Sequence, residues 1–425
     1  MTYQRRSLDD VLDQLLPQLP AILLEGAKGV GKTSTAERRA ATRFHLDNPA
    51  DLELARGDPE RVLASKKPVL IDEWHRYPAI WDAMKRAVDH NAVAASFFLT
   101  GSASPDAGAH SGAGRIVDLQ MRPLALAERR LSKPTVSLVT LLQGGRGPIQ
   151  GASALTLADY TNEILRSGFP GLRNFWGRPL RESLDAYVSR VIDRDFKAEL
   201  GRTVRNPSAL RRWLTAYAAA TSTTASFETI RKSAGTAGGQ ESMPTKVSGL
   251  SYRDALKRLW IVDPVPGWRP TRNQFGRLDQ PEKHHLADPA LAARLLGADA
   301  PKLLHDRPLG PPMPRDGTLL GALFESLVTL SVRVYAQAAE ARVFHLREKS
   351  GRHEIDLIVE RDDGRVVAIE VKLAAVVDDR DVRHLHYLAG QIKDDLLDMV
   401  IVTTGADAYR RQDGVAVVPA ALLTT

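Results

Sequence analysis

Residues 26–33 read Gly-Ala-Lys-Gly-Val-Gly-Lys-Thr, which matches the pattern G-x-x-x-x-G-K-[ST] at every fixed position. Glycines in such a loop let the backbone curl so that successive N–H groups point at phosphate oxygens. Lys32 would place its positive charge on the β and γ phosphates, and the hydroxyl of Thr33 would bind Mg²⁺. The stretch therefore predicts a nucleotide-phosphate cradle. Its expected nucleotide-binding residues are Gly26, Ala27, Lys28, Gly29, Val30, Gly31, Lys32, Thr33 and Ser34.

The residues on either side of this loop support the prediction. Residues 21–25 form a short apolar run that indicates a buried strand, and residues 32–41 are rich in helix formers. In that order, strand, loop and helix, the amino end of the helix faces the bound anion. An ordinary glycine turn explains the loop less well than a phosphate site does.

A second acidic motif follows at residues 67–73, Lys-Pro-Val-Leu-Ile-Asp-Glu, which predicts an apolar strand that ends in two carboxylates. By the Walker B pattern, Asp72 would hold Mg²⁺, and Glu73 would orient and polarise the attacking water. Taken alone, the motif is more typical of a strand that ends at an acidic helix cap. Following a phosphate loop, it favours the catalytic assignment.

Two further candidates for the catalytic site lie downstream. Residues 96–102 predict a third strand with small hydroxyl residues, of which Thr100 or Ser102 would sense the γ-phosphate or position the water. Arg115 follows a glycine-rich segment, where an arginine finger would stabilise charge on the nucleotide of a neighbouring subunit. A solvated loop arginine fits Arg115 equally well. The predicted catalytic residues are Glu73, Lys32, Thr100 and Arg115.

The run from residue 66 to residue 104 resembles the prokaryotic AAA-superfamily ATPases that carry a C-terminal domain of unknown function. The shared motifs are the phosphate loop, Leu-Ile-Asp-Glu, Leu-Thr-Gly-Ser-Ala and the segment 122–128, Arg-Pro-Leu-Ala-Leu-Ala-Glu. Trp74 and His75 depart from the family pattern. The resemblance implies ATP binding and hydrolysis, with ATP and Mg²⁺ as cofactors. Later matches are residues 167–170, 194–195, 288–289, 321–325 and 354–358.

The middle of the chain predicts a helical region with a winged helix. Three helices are expected at residues 208–221, 226–233 and 247–259, followed by a strand at residues 260–262. In a winged helix the third helix would be the recognition helix. Its cations would then contact nucleic acid, although the same cations would also suit a helical domain that packs on the ATPase. The DNA-binding candidates are Lys246, Arg253, Lys257 and Arg258.

The C-terminal region predicts a hairpin of two strands, residues 354–360 and 365–373, joined by a turn that contains Asp-Asp-Gly. Folding about that turn sets Asp356 opposite Glu370 and Glu354 opposite Lys372. The spacing resembles the PD-(D/E)XK nuclease core, in which Asp356 and Glu370 would hold a divalent metal, with Lys372 and Glu325 nearby. An amphipathic hairpin with a Glu354–Lys372 ion pair on its outer face is the alternative.

In both interpretations of the hairpin, the alternation of a strand assigns its side chains to two faces. The predicted core positions are Ile355, Leu357, Val359, Val367, Ile369, Val371 and Leu373, with the charged residues gathered on the other face.

These predictions combine into an α/β protein of three parts. We expect a P-loop AAA-type ATPase domain over residues 1–141, a helical region with a winged helix over 153–268, and a nuclease-like α/β domain over 282–425, with a glycine-rich linker at 142–152. At 425 residues the chain suffices for two or three domains, and without cysteine it has no disulfide framework or thiolate metal site.

Two functions remain open at this stage. The first is an oligomeric Mg²⁺-dependent ATPase whose nucleotide state is coupled to a nucleic-acid-binding or nuclease-like domain. The second is a nucleotide-dependent regulatory or scaffold protein, for example a toxin–antitoxin-like partner, with an inactive C-terminal domain. The net charge of +7 permits nucleic-acid contact. Residues 1–16 do not resemble a signal peptide, and no apolar run reaches the length of a membrane span, so we expect a cytoplasmic homo-oligomer with no membrane contact.

Overall fold

The N-terminal part of the chain is built on a five-stranded parallel sheet. The computed structural model describes residues 3–103, 114–201, 203–236, 243–270, 280–304, 318–348 and 351–425. In space the strands follow the order β2-β3-β4-β1-β5, and the three central strands are buried along their whole length. Their apolar runs are typical of parallel strands that are covered on both faces. The strands are β1 (Ala21–Glu25), β2 (Thr42–His45), β3 (Val69–Asp72), β4 (Phe97–Gly101) and β5 (Ile116–Gln120).

The strands predicted around residues 21–25, 67–73 and 96–102 are thereby confirmed. The helix predicted over residues 32–41 is shorter, ending at Glu37. The N–H of Ala41 already donates to the carbonyl of Pro68 at 2.8 Å, so the chain turns into β2 before a longer helix can form. The helices around this sheet are Ser7–Leu15, Lys32–Glu37, Pro49–Gly57, Pro59–Leu63 and Ala79–His90.

The middle region is helical, as predicted. A π-helical turn at Val191–Asp195 joins two of its helices. The strand predicted at residues 260–262 does not begin there, because Trp260 follows its helix in the left-handed region at φ 58°. The chain instead forms two isolated antiparallel bridges, Val262 with Leu286 and Val265 with Lys283. The helices are Leu157–Leu165, Gly177–Arg190, Phe196–Leu200, Pro207–Ala219, Phe227–Thr236, Lys246–Arg258, Pro289–Leu295 and Ala300–Leu304.

The C-terminal part contains a seven-stranded mixed sheet in the order β7-β12-β13-β11-β10-β9-β8. One face packs on the helix Leu319–Ala338, which we call the core helix, and the other faces the helix Arg383–Ile392. The strands are β7 (Gly151–Ala152), β8 (Arg342–Arg347), β9 (Glu354–Glu360), β10 (Val366–Lys372), β11 (Leu396–Thr403), β12 (Asp407–Arg410) and β13 (Ala416–Pro419).

The core helix is long and apolar enough, by length and composition alone, to cross a membrane. In the structure 72% of its most apolar window is buried inside the protein, which is the environment of a helix that packs in a core. It contacts the helix Ser7–Leu15 as well as the C-terminal sheet. Its apolar surface is therefore accounted for by contacts within the chain.

The segment predicted as the linker between the first two parts contributes to the C-terminal sheet. β7 pairs with β12, and the helix Leu138–Gln143 packs against β10 and β11. A two-residue strand at Val136–Ser137 pairs in parallel with Leu423–Thr424 near the end of the chain. These contacts cross the predicted boundary at residue 141, and the three domain boundaries themselves stay predictions.

Candidate nucleotide-binding site

The phosphate loop connects β1 to the helix Lys32–Glu37, and two of its glycines are required by its geometry. A Cβ at Gly26 would lie 2.1 Å from the carbonyl oxygen of Met121, closer than any side chain permits. Gly31 adopts φ 104° at the start of the helix, a conformation that L-residues rarely adopt. The curled backbone expected from the motif is thus present. Ala27 and Val30 are buried within the loop, and Ser34 is exposed on the helix.

Lys32 is held at the centre of the site. Its side chain is 6% exposed, and its ammonium donates to the carbonyls of Gly26 at 2.7 Å and Ala27 at 3.1 Å. It also donates to the hydroxyl of Ser102 at 3.3 Å. Because Ser102 follows β4, the third predicted strand brings its hydroxyl beside the loop lysine. Ser102, which the sequence offered as an alternative to Thr100, is the residue that joins Lys32 to the acidic side of the site.

Asp72 is the hub of the acidic side. Its Oδ1 accepts hydrogen bonds from the hydroxyl of Thr33 at 2.8 Å and from the hydroxyl of Thr100. Its Oδ2 lies 3.1 Å from Nδ1 of His45. Thr33 and Asp72 supply the hydroxyl and carboxylate oxygens that Mg²⁺ prefers, so the residues present fit that ion. Thr100 acts on Asp72 and was predicted instead to act on the phosphate or the water.

His45 was missed by the sequence analysis. Its Nε2 lies 3.4 Å from a carboxylate oxygen of Glu37, so the imidazole spans from the loop helix to Asp72. In the described part of the chain, one trio of His and carboxylate ligand atoms lies within 4.8 Å of one another, and it consists of His45, Asp47 and Asp72. The available signal was that His45 ends a strand next to β3, since the carboxyl ends of parallel strands share one edge of a sheet.

Glu73 lies at the predicted position of the catalytic carboxylate. Its Oε1 accepts a hydrogen bond from Ser102 at 3.3 Å, and its Oε2 lies 3.4 Å from Nδ1 of His75. The residue has φ 55°, so the chain turns sharply after β3. Trp74 packs against Gly101 at the end of β4, where a Cβ would lie only 2.9 Å from the indole nitrogen. Of the two departures from the family pattern, His75 is therefore the one with a described contact to Glu73.

Arg115 lies at the opposite edge of the sheet from the phosphate loop. It immediately precedes β5, whose first residue Ile116 pairs with Ala21 at the start of β1, whereas the loop follows the end of β1. Five residues of strand separate the two edges by roughly 15 Å. Arg115 contacts Asp89 at 2.5 Å and is 38% exposed. The structure does not bring it to the nucleotide site of its own chain, and residues 104–113 of the glycine-rich segment lie outside the described residues.

The middle region covers the phosphate loop. The hydroxyl of Tyr187 donates to the carbonyl of Lys28 at 3.0 Å, and the Lys28 ammonium lies 3.7 Å from Asp195 in the π-helical turn. Phe169 packs on Tyr187 with ring centroids 4.8 Å apart, and it approaches within 3.9 Å of a Cβ built at Gly29. The motif at residues 167–170, which had no predicted role, is thus placed against the nucleotide site.

The C-terminal hairpin has the predicted register. Val367 pairs with Val359 and Ile369 with Leu357, and the same register continued by one residue sets Asp356 opposite Glu370. The N–H of Val371 donates to Asp356 at 2.9 Å. The pair proposed for a metal is therefore brought together at the end of the hairpin.

The predicted core face of the hairpin is confirmed at six of its seven positions, whereas the expectation of a solvated opposite face is wrong. The confirmed positions are Leu357, Val359, Val367, Ile369, Val371 and Leu373. Both faces are covered, because one packs on the core helix and the other on Arg383–Ile392. Ile355 joins the second of these cores and Leu357 the first, since a register shift between β8 and β9 interrupts the alternation. The predicted Glu354–Lys372 pair is also absent from the described contacts, because Lys372 lies 3.3 Å from Glu370 instead.

A lysine that the sequence analysis missed occupies the centre of the carboxylate group. Nζ of Lys283 lies 2.9 Å from Glu325, 3.0 Å from Asp356 and 3.3 Å from Glu354. Glu325, which was predicted to complete a metal site with Asp356, contacts the same ammonium as Asp356 does. No sequence motif marked Lys283, which comes from the bridge to Val265 in the middle region.

The four DNA-binding candidates lie on or beside the helix Lys246–Arg258. Lys257 pairs with Glu282 at 2.8 Å, and Arg253 pairs with Asp254 at 2.8 Å. The same helix exposes 78% of Val247, an apolar residue with no use in binding phosphate. Lys246 is exposed in the first turn and Arg258 is half-buried in the last. Nucleic-acid contact through these residues stays a prediction.

Comparisons with known proteins agree with the N-terminal assignment. Residues 18–129 match a family described as AAA domain, residues 157–302 match a domain of unknown function (DUF8612), and residues 320–423 match another (DUF4143). The uncharacterized proteins Rv2008c of Mycobacterium tuberculosis and Mb2031c of Mycobacterium bovis are each 27% identical to the chain over 441 residues, which cover all of this chain and 86% of each relative.

Among solved structures, the Walker-type ATPase PABY2304 of Pyrococcus abyssi has a TM-score of 0.38 and 15% identity, covering 69% of this chain and 96% of that one. The AAA-domain match and the geometry of the phosphate loop indicate the same kind of domain. Residues 18–129 form an AAA-type P-loop domain, the kind of domain that binds nucleotide in ATPases.

Proposed function

We propose that the protein binds ATP with Mg²⁺ and hydrolyses it at the site between the phosphate loop and the ends of β3 and β4. One observation carries the proposal: a single hydroxyl, Ser102, links the loop lysine Lys32 to the acidic residue Glu73. These three groups have the chemistry needed to bind a phosphate, respond to its presence and activate water.

Each residue has a defined task in this proposal. Backbone N–H groups of the loop bind the phosphates, and Lys32 adds positive charge to their oxygens. Thr33 and Asp72 would hold Mg²⁺, which would offset the negative charge of the phosphate oxygens. His45 and Thr100 keep the Asp72 carboxylate in one orientation, because each contacts it directly.

Glu73 accepts the proton of the attacking water or polarises that water by a hydrogen bond. Ser102 and His75 contact its two oxygens, so the carboxylate is restrained from both sides. The Ser102 hydroxyl senses the γ-phosphate. A change in the position of Lys32 alters the hydrogen bond that the Ser102 hydroxyl donates to Glu73. Thr100 is assigned the supporting role on Asp72.

During hydrolysis, a complete site of this type also needs a positively charged side chain next to the γ-phosphate. Arg115 supplies it only in trans, since it lies at the far edge of its own sheet. We therefore propose a homo-oligomer in which Arg115 of one subunit approaches the nucleotide of the next. Its contact with Asp89 would be exchanged for the phosphate in that arrangement.

The nucleotide state would be read by the middle region, which contacts the loop through Tyr187, Phe169 and Asp195. For the C-terminal part, the two functions that the sequence left open differ in whether its carboxylates bind a metal. The position of Lys283 among those carboxylates favours the regulatory or scaffold alternative, with a protein partner, over a nuclease. Contact with nucleic acid through the helix Lys246–Arg258 is the remaining part of the first alternative.

Two variants test the ATPase assignment. Lys32→Ala should abolish ATP binding measured by calorimetry, and Lys66→Ala, a change at an exposed lysine outside the site, should leave it unchanged. Glu73→Gln should bind ATP with Mg²⁺ normally but hydrolyse it about 100 to 1,000 times more slowly. The matched control is Glu53→Gln on the exposed side of a helix. Hydrolysis at the parental rate by Glu73→Gln would assign the base to another residue.

A further inference from the structure

Lys283 is a buried cation surrounded by carboxylates. The residue is fully buried, and Nζ lies within 3.3 Å of carboxylate oxygens from Glu325, Glu354 and Asp356. Two of these contacts, to Glu325 and Asp356, are hydrogen bonds. One ammonium therefore stands at the point where the three carboxylates converge, which is the position that a divalent metal takes in a metal-dependent nuclease.

The backbone of Lys283 is fixed, so the ammonium has no simple route out of the cluster. Its N–H donates to the carbonyl of Val265 at 2.8 Å, and its carbonyl accepts from the N–H of Val265 at 2.9 Å. The following residues, His284 and His285, are both buried. A lysine on a mobile loop would suit a gate, whereas a lysine held in a bridge and covered on all sides suits a permanent structural role.

The negative charges of the cluster are compensated by cations of the chain, without a metal. Burial alone would lower the pKa of Lys283, but the charges of Glu325 and Asp356 raise it well above its usual value, so the ammonium stays charged. Burial and the charge of Asp356 raise the pKa of Glu325 to about 8. The same two causes raise the pKa of Glu370 well above its usual value.

Burial and the charge of Asp356 therefore favour the protonated forms of Glu325 and Glu370 more than water would. Burial would raise the pKa of Asp356, but Lys283 and the N–H of Val371 outweigh it, and this carboxyl is ionised. Glu354 faces Lys283 and, at 3.6 Å, Arg347. The carboxylates of Asp356 and Glu354 are thus paired with cations of the chain, Lys283 and Arg347.

We propose that Lys283 permanently occupies the cation position of the C-terminal carboxylate cluster, so that this cluster joins the middle region to the C-terminal sheet and binds no divalent metal. Lys283 belongs to the residues that match the middle family, whereas Glu325 and Asp356 belong to those that match the C-terminal one. The ammonium is therefore a fixed tie between the two. The role of Lys283 does not depend on ATP hydrolysis, so the two proposals are tested separately.

The test uses the full chain with Asp72→Asn, which removes the metal ligand of the nucleotide site. Thermal melts are recorded without nucleotide, with and without Mn²⁺. The proposal expects no Mn²⁺-dependent shift in this parent. Adding Lys283→Met keeps the apolar stem but removes the charge. It should lower the melting temperature, and Mn²⁺ should restore it by about 5 °C, because the freed carboxylates then bind the ion only in the folded state.

Two further variants make the result specific. Lys257→Met removes a surface lysine that also pairs with a glutamate, and it should produce neither the large loss nor the response to Mn²⁺. Asp356→Asn added to Lys283→Met should abolish the response. A Mn²⁺-dependent shift in the Asp72→Asn parent that is lost when Asp356→Asn is added would overturn the proposal. This comparison does not use Lys283→Met, so it remains decisive even if that variant does not fold. Metal-dependent cleavage of plasmid DNA that Glu370→Ala abolishes would overturn it as well.

Discussion

Replacing Asp288 should lower both the stability of the protein and its affinity for ATP. The Asp288 carboxylate is fully buried and accepts three hydrogen bonds, from the hydroxyl of Ser167 at 3.0 Å and from the N–H groups of Gly168 at 2.6 Å and Ala290 at 2.8 Å. The first two donors directly precede Phe169, which packs beside the phosphate loop. Asp288 therefore fixes the segment that covers the nucleotide site.

The magnitude follows from those contacts. A hydrogen bond to a charged group contributes about 1.5–3 kcal/mol, and a buried donor left without a partner costs about 1–3 kcal/mol. Relaxation and entering water reduce the sum, so we expect Asp288→Ala to cost about 3–5 kcal/mol. Ser167→Ala removes one donor and should cost about 1 kcal/mol. The control Asp58→Ala removes an exposed helix cap that accepts from Arg61, and it should also cost about 1 kcal/mol.

The assay combines urea unfolding with ATP binding by calorimetry. We expect Asp288→Ala to lower the unfolding midpoint well below that of Asp58→Ala and to weaken ATP binding about tenfold, which corresponds to about 1.4 kcal/mol lost when Phe169 no longer orders the loop. A loss of stability no larger than that of Asp58→Ala would refute the hydrogen-bond reasoning. A large loss with unchanged ATP affinity would refute the link from Asp288 to the loop.

Three other predictions concern charged groups. Arg115→Ala subunits mixed with Lys32→Ala subunits should regain part of the ATPase rate, since each mixed interface pairs an intact loop with an intact arginine, and the absence of rescue in a protein that stays monomeric by light scattering would argue against action in trans. Burial would raise the pKa of Asp263, but Arg122 and Arg333 lower it to about 2 from 3.8. That carboxylate therefore contributes about 2 kcal/mol of stability above pH 4 that is lost as the pH falls through 2, and Asp263→Asn should flatten this part of an acid-unfolding curve. His45→Ala should raise the Mg²⁺ concentration needed for half-maximal ATPase several-fold, whereas an unchanged requirement would show that Thr33 and Thr100 orient Asp72 without it.

The N-terminal site could be predicted in detail because its information is local. A motif of eight residues defines the loop, and each of the buried parallel strands reads as a continuous apolar run. Asp72 and Ser102 were expected near the loop from their motifs, and the meeting of parallel strand ends at one edge of the sheet explains why they lie there. The same rule applied to β2 would have added His45. The position of Arg115 required the strand pairing, which shows that it precedes a strand and so lies at the other edge.

The C-terminal site was predicted correctly in register and incorrectly in environment. The turn and the spacing of Asp356 and Glu370 are properties of one hairpin, so the sequence of that hairpin determines them. What covers each face depends on elements distant in sequence, namely the core helix and Arg383–Ile392. Lys283 is 73 residues from Asp356, and no local pattern distinguishes a lysine that will be buried against carboxylates from one on the surface.

The short motifs to which the resemblance assigned no role lie around the phosphate loop. The contacts of their buried charged residues explain this position. Glu128 accepts hydrogen bonds from the N–H groups of Ser7 and Ala125, and it pairs with Arg6 at 3.0 Å. Arg6 in turn donates to the carbonyl of Val30 in the loop at 3.0 Å. Groups of this kind are costly to bury without partners, so their partners must keep their positions together.

A series of buried ion pairs continues from the loop to the core helix. Arg122, in the motif that contains Glu128, pairs with Asp263 of the middle region at 2.8 Å, and Asp263 pairs with Arg333 on the core helix at 3.0 Å. A movement of the loop relative to these elements breaks buried ion pairs unless the elements move with it. The contacts therefore favour concerted displacement over local adjustment, and they give the nucleotide site a continuous mechanical connection to the helix on which the C-terminal sheet packs.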